Sequence, residues 1–194
     1  GEIKAMCNLD LDNDGQYYER ANHAVTRMEP GSTFKTLALM ATLDEGRVHM
    51  TDSFEVKKKG WEYYGSFHKD AHPSDTTYSI RQALAVSSNI ALAKIVTSSY
   101  EGSAKKFIRK LERMGLCDSI DYIIPGAEQA KIIVPNDTVT ISKMAYGYSV
   151  ELSPLQMAML YNGIANNGKL ISPVLATKVV KNNEILSEFE SQVI

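Results

Sequence analysis

The sequence predicts a mixed α/β (α+β) fold, mostly helical, with antiparallel strands. Three observations carry this. Helical hydrophobic patterns bounded by caps recur along the chain. Val174 to Val180 and Glu184 to Phe189 flank Asn182-Asn183 as a β-hairpin would. Ile3 to Leu9 reads as one further strand, followed by the polar turn Asp10-Leu11-Asp12-Asn13-Asp14-Gly15.

Each element has a local reason. Residues 32 to 45 form a helix pattern whose Leu37, Ala38, Leu39, Met40, Ala41 and Leu43 are apolar nearly all round, which predicts burial. Gly46 fits its C-terminal cap. Residues 47 to 78 carry Trp61, Tyr63, Tyr64, Phe67 and His68 between breakers, and predict a long connection holding a short hairpin. Residues 79 to 86 and Ile90 to Thr97 predict two short helices joined at Ser87-Ser88-Asn89. Ser103 to Met114 is amphipathic, with Phe107, Ile108, Leu111 and Met114 on one face and Gly115 at its end. Residues 116 to 150 look loop-rich, with breakers at Pro125-Gly126 and Pro135-Asn136. Ser153-Pro154-Leu155-Gln156 is a capping box with proline at the first helical position, starting a helix that runs to Asn166-Asn167-Gly168.

Composition narrows the function classes. The 194 residues suffice for one domain or slightly more. A chain of this size buries roughly 70% of its unfolded surface and needs no disulfide or metal staple. A net charge of −2 gives no electrostatic case for nucleic acid, and no nucleic-acid motif is present. Cys7 and Cys117 are the only cysteines, without metal-ligand spacing. No run of about 18 apolar residues, the length a membrane-spanning helix needs, occurs in the sequence.

The segment Glu29-Pro30-Gly31-Ser32-Thr33-Phe34-Lys35 carries the chemistry. Positions i and i+3 share a helix face, so the Ser32 hydroxyl and the Lys35 amine can meet. Taken alone, Ser32 reads as an N-cap and Lys35 as a first-turn cation. A lysine there opposes the helix dipole, and the helix behind it is apolar enough to bury it. Desolvation favours a neutral amine, which can accept the serine proton. The helix N-terminus can also offer N–H groups to an oxyanion.

Ser87-Ser88-Asn89 follows 52 residues after Lys35. As a tripeptide it reads as a polar turn with Asn89 capping a helix. As a partner of Ser32 and Lys35, it places Ser87 as a proton shuttle and Asn89 as a hydrogen-bond donor to substrate. Other candidates are weaker. Asp10, Asp12, Asp14 and Gly15 mimic a calcium loop, but its twelfth position is Ala21 where a glutamate is required. His68 and His72 precede Pro73 and have no third ligand, which makes them loop histidines. Met28, Met40, Met144, Met157 and Met159 read as core packing.

These residues resemble the transpeptidase domain of a class B penicillin-binding protein, over almost the whole length. The approach Arg20-Ala21-Asn22-His23-Ala24-Val25 into Ser32-Thr33-Phe34-Lys35 is similar to that family's. So are Ala85-Val86-Ser87-Ser88-Asn89-Ile90, Tyr146-Gly147-Tyr148 through Gln156, and Ala165-Asn166-Asn167-Gly168-Lys169. Trp61, Asp70-Ala71-His72 and Tyr100-Glu101-Gly102 lean toward the division-type, FtsI-like branch.

The resemblance implies a penicillin-binding/β-lactamase-like fold and D,D-transpeptidation of peptidoglycan stem peptides ending in D-Ala-D-Ala. It implies acylation of Ser32 by β-lactams, with Lys35, Ser87 and Asn89 catalytic and Ser88, Tyr146 and Gly147 substrate-binding. No metal or organic cofactor is implied. The parent would sit in the bacterial inner membrane with this domain in the periplasm, inside a membrane-bound cell-wall synthesis complex, and the 194 residues alone would be soluble. The family's K-T-G strand is not found here, since the only Lys-Thr pair is Lys35-Thr36. The expectation is a partial domain over 1–194, lacking the anchor, the pedestal and the last strands, and weakly active or inactive alone. Two rivals stand beside it. One is a serine β-lactamase, β-lactam sensor or D,D-carboxypeptidase, for which the sequence offers no clear water-activating carboxylate beyond Glu128 in its loop. The other is a non-catalytic scaffold in a cell-wall synthesis complex.

Overall fold

The structure, a computed structural model, describes residues 1–117, 124, 126–133 and 138–194. The breakers expected at Pro125 and Pro135-Asn136 lie outside the described residues. In chain order the elements are β1 (Asp10–Leu11), β2 (Tyr17–Tyr18), α1 (Lys35–Asp44), β3 (Ser53–Val56), β4 (Trp61–Tyr63), β5 (Ser66–His68) and β6 (Thr76–Ser79). They continue with α2 (Ile80–Ala85), α3 (Asn89–Ser99), α4 (Ala104–Arg113), β7 (Lys131–Ile132) and α5 (Val139–Met144). The chain closes with β8 (Val150–Glu151), α6 (Pro154–Ala165), β9 (Lys178–Lys181) and β10 (Glu184–Glu188). This is the mixed α/β class, with its strands in small antiparallel pairs among the described residues.

The chain divides into two compact units. One comprises Glu29–Met114 and Ile132–Glu151. Its centre is α3, whose Ile90, Leu92, Ile95 and Val96 are fully buried. Each such side chain contributes about 1.5–3 kcal/mol over an exposed one. Helices α1 and α5 and strand β3 pack on it. Burial of Leu37, Ala38, Leu39, Ala41 and Thr42 bears out an α1 that is interior nearly all round, although Met40 is exposed. Gly46 and Gly115 follow α1 and α4 in the left-handed conformation, as expected of C-terminal caps. Phe107, Ile108 and Leu111 form the buried stripe of α4.

The aromatic connection is more ordered than expected. β4 and β5 form a hairpin across Tyr64-Gly65, where both residues have positive φ as a type I′ turn requires. β3 pairs with β6 around it, from Ser53 opposite Ser79 to Val56 opposite Thr76. These four-residue strands alternate too briefly to show in the pattern. Helix α5 also corrects the loop-rich reading of 116–150. Six residues beginning Val139-Thr140-Ile141 have weak helix propensity, and complete burial of Ile141, Met144 and Ala145 overrides it.

The other unit comprises Gly1–Met28, Gly115–Lys131 and Leu152–Ile194. The strand expected over Ile3 to Leu9 does not form. Only a bridge of Glu2 with Val174 is made there, and Asn8 instead ties the segment to Asn22 and Ala24 through its side chain. The Asp12–Gly15 turn folds on itself, with Asp12 and Asp14 accepting backbone N–H groups of Asn13 and Gln16. Met28 is exposed rather than packed. Helix α6 begins on the predicted capping box: the Ser153 hydroxyl accepts from Gln156 N–H and the Gln156 side chain accepts from Ser153 N–H. β9 and β10 form the predicted hairpin, with Asn182 and Asn183 both at positive φ. Among the described residues no helix is long and apolar enough to cross a membrane.

Candidate active site

The first motif starts in a 3₁₀ turn, Gly31–Phe34, and α1 begins only at Lys35. In a 3₁₀ turn residues three apart eclipse, so Ser32 and Lys35 lie on one edge. Pro30 holds the cap position and no side chain caps either helix, so Ser32 is not an N-cap. Its hydroxyl is exposed, while Lys35 is only 1% exposed.

Lys35 Nζ makes three hydrogen bonds. It donates to Ser87 O at 2.6 Å, to Ser87 Oγ at 2.9 Å and to Asn89 Oδ1 at 2.7 Å. No hydrogen bond joins it to Ser32. The expected meeting of the two motifs is therefore found at Lys35, with Ser32 three residues away on the same turn. Burial draws Lys35 down to about 8, and the Asp70 carboxylate pulls partly the other way. A lysine so placed gives up its proton more readily than an exposed one. On losing it, Nζ keeps two N–H groups for the Ser87 and Asn89 carbonyl oxygens, and the Ser87 hydroxyl can reverse from acceptor to donor.

The second motif is held from three sides. Ser87 sits at φ 55°, a left-handed position uncommon for a residue other than glycine. It is exposed on the turn between α2 and α3. Asn89 is the first residue of α3, and its amide is oriented unambiguously: Oδ1 takes the lysine and Nδ2 donates to Lys69 O at 2.9 Å. Ser88, expected among the substrate contacts, turns its hydroxyl to the chain itself. It is buried, caps α3 by accepting from Ala91 N–H at 3.0 Å, and donates to Asp70 Oδ2 at 2.8 Å. The cap assigned to Asn89 thus belongs to Ser88. Asp70 also accepts Ile90 N–H at 2.9 Å, so one carboxylate fixes the start of α3.

Gly147 is tied to the residue before Ser32 through the backbone. Gly31 N–H donates to Gly147 O at 3.1 Å, and Ser149 N–H donates to Glu29 Oε1 at 2.9 Å. A side chain on Gly147 would place its Cβ 2.0 Å from Gly31 O. Gly147 is at φ +85°. Only glycine permits this approach, and it is made to the residue preceding Ser32. Tyr146 is half-buried with its hydroxyl 2.7 Å from His68 Nδ1, and burial pushes its phenol up to about 12, with Tyr148 adding to the effect.

His68 is not a loop histidine: it ends β5, is 1% exposed and touches Tyr146 and Ser142. Glu29, Asp70, His68 and the Lys69 carbonyl are the supporting groups that motif reading did not assign. Asp70 was visible only as part of a family resemblance. Nothing local in the sequence tells that a carboxylate eighteen residues upstream will cap α3. In the other unit, Glu128 accepts Arg27 N–H at 2.8 Å. Among the described residues no cluster of His, Cys, Asp and Glu could hold a metal ion.

Known proteins resemble this chain along most of its length. The family model of the penicillin binding protein transpeptidase domain matches residues 1–194. A probable peptidoglycan D,D-transpeptidase PenA of Neisseria flavescens is 29% identical over 180 residues, covering 88% of this chain and 43% of the relative. The peptidoglycan D,D-transpeptidase FtsI of Buchnera aphidicola is 28% identical, covering 87% and 30%. Penicillin-binding protein 3 of Bacillus subtilis is 24% identical, covering 90% and 26%. The chain spans less than half the length of these curated relatives.

Proposed function

We propose that this chain, which belongs to the penicillin-binding protein transpeptidase family, carries the acylation centre of a peptidoglycan D,D-transpeptidase. The observation that carries the reading is Lys35, buried, lowered to about 8 and bonded to both Ser87 and Asn89. The names of the relatives supply the substrate class.

In this reading neutral Lys35 Nζ takes the Ser32 hydroxyl proton as Oγ attacks the carbonyl of the penultimate D-alanine. The Oγ–C bond forms and the amide C–N bond breaks. The proton passes from Nζ through the Ser87 hydroxyl to the departing amine of the terminal D-alanine. An amine of a second stem peptide then attacks the ester, forms the cross-link and returns the proton to Ser32. A β-lactam presents the same carbonyl in a ring, so its amine stays attached and the ester persists. Asn89 has one amide hydrogen beyond that given to Lys69, and this hydrogen serves the substrate. Ser88 takes no part beyond holding the turn. Such substrates lie outside the cytoplasmic membrane, and in this reading the domain works there, in the periplasm, as part of a membrane-anchored parent in a cell-wall synthesis complex.

The test is the intact mass of the full-length protein after incubation with benzylpenicillin. A single stable acyl adduct, lost in Ser32→Ala, supports the reading. Rapid penicillin consumption without an adduct supports a hydrolase. Neither adduct nor consumption on folded protein supports a scaffold.

A further inference from the structure

His68 stands out because its ring is buried yet both nitrogens are engaged by groups from elsewhere in the same unit. Nδ1 lies 2.7 Å from the Tyr146 hydroxyl and Nε2 lies 3.1 Å from Ser142 Oγ. The proton positions follow from the next contact. Ser142 Oγ is 2.5 Å from Val139 O. A carbonyl cannot donate, so the single Ser142 proton lies between those two oxygens. Ser142 must then accept from His68 Nε2–H. Nδ1 of a neutral ring is left as an acceptor, and Tyr146 donates to it. Burial, with the Lys143 cation second, holds His68 below the usual imidazole range, which agrees with a neutral ring.

The chain of hydrogen bonds has a direction and an end point. Tyr146 donates to His68, His68 to Ser142, and Ser142 to the first carbonyl of α5. Tyr146 is followed by Gly147, whose carbonyl takes the Gly31 N–H one residue before Ser32. The residue after His68 is Lys69, whose carbonyl orients Asn89. The end of β5 therefore grips the nucleophile turn through a side chain and the second motif through the backbone.

We propose that the His68–Tyr146 hydrogen bond is a positioning device for Ser32, holding the Tyr146-Gly147 turn against Gly31; this rests on the reading of Ser32 as the nucleophile. Neither His68 nor Tyr146 is hydrogen-bonded to the Lys35 amine. They act on the rate of acylation by fixing where Ser32 stands, and a small displacement there is costly because attack demands close alignment.

The experiment measures benzylpenicillin acylation of the full-length protein by rapid quench, separating initial binding from the acylation rate constant. Tyr146→Phe keeps the ring and removes the donor. The expected result is a five- to tenfold fall in the acylation rate constant, at unchanged initial binding and at a temperature where the variant is folded. His68→Phe gives a similar fall. The double variant loses no more rate than either single one, because all three lack the same hydrogen bond. An unchanged rate in Tyr146→Phe, or losses that simply add in the double variant, would overturn the proposal. Nitrogen NMR of His68 is an independent arm: a neutral ring protonated at Nε2 is expected, and an Nδ1–H tautomer would overturn it. Absence of any Ser32 adduct in the unmodified protein would instead overturn the nucleophile reading, and the two failures are distinct.

Discussion

Lys35 Nζ donates to Asn89 Oδ1 at 2.7 Å, joining two segments 54 residues apart into one hydrogen-bonded centre. The same amine holds Ser87 by its carbonyl and its hydroxyl. Every proton Lys35 carries as an ammonium thus has an acceptor inside the site, and releasing one frees a lone pair beside the Ser87 hydroxyl.

The pH dependence follows from that amine. Lys35 is lowered from 10.5 to about 8, chiefly by burial. The acylation rate should rise with pH as the neutral amine accumulates and level off above about 8. Between about 8 and 10.5 the unfolded chain binds more protons at this residue than the folded one. Its contribution to stability therefore grows as pH rises through that window and is unfavourable below it. Acylation rates measured from pH 6 to 10 check the first statement. A Lys35→Met variant, more stable than the parent at pH 7 relative to pH 10, checks the second.

Asp70→Asn should separate structure from electrostatics. The carboxylate accepts from Ser88 Oγ and Ile90 N–H, and its loss should cost about 1–3 kcal/mol in denaturant unfolding. Asp70 also raises Lys35, so its removal should move the midpoint of the acylation profile to lower pH. A midpoint that moves upward would contradict the assignment.

Gly147→Ala should damage the site without touching the motifs. The new Cβ would meet Gly31 O at 2.0 Å, and φ +85° is unfavourable for alanine. The turn before Ser32 must shift, and the acylation rate should fall about tenfold or more. Single-turnover kinetics on folded variant check it.

In the other unit, Ser153→Ala removes the hydroxyl that accepts from Gln156 N–H at the start of α6. The expected loss is about 0.5–2 kcal/mol of stability. Urea unfolding checks it.

Much of this was legible in the residues because the signals were local. The α6 capping box, the Gly46 and Gly115 ends and the Asn182-Asn183 turn each specify their geometry within a few positions. Ser32 and Lys35 were readable as a pair since three residues fix their relation on a turn. The contact of Lys35 with Ser87 and Asn89 was readable only as a matched pair of motifs, because nothing local encodes a meeting across 52 residues. The supports were not legible at all. Ser88 looked like part of a binding triplet, and its burial under Asp70 depends on where β5 ends. Ile3 to Leu9 had strand composition without a partner strand, and composition alone does not supply a ladder. Helix α5 came from burial that overrode weak propensity.

The most direct measurement of the central claim is peptide mapping of the penicillin-treated full-length protein. Trypsin would release Met28 to Lys35, which holds Ser32 beside Thr33 as the only hydroxyls. Fragmentation should place the penicilloyl group on Ser32, with Thr33 unmodified. A penicilloyl group on Thr33, or on a peptide outside residues 28–35, would contradict the account.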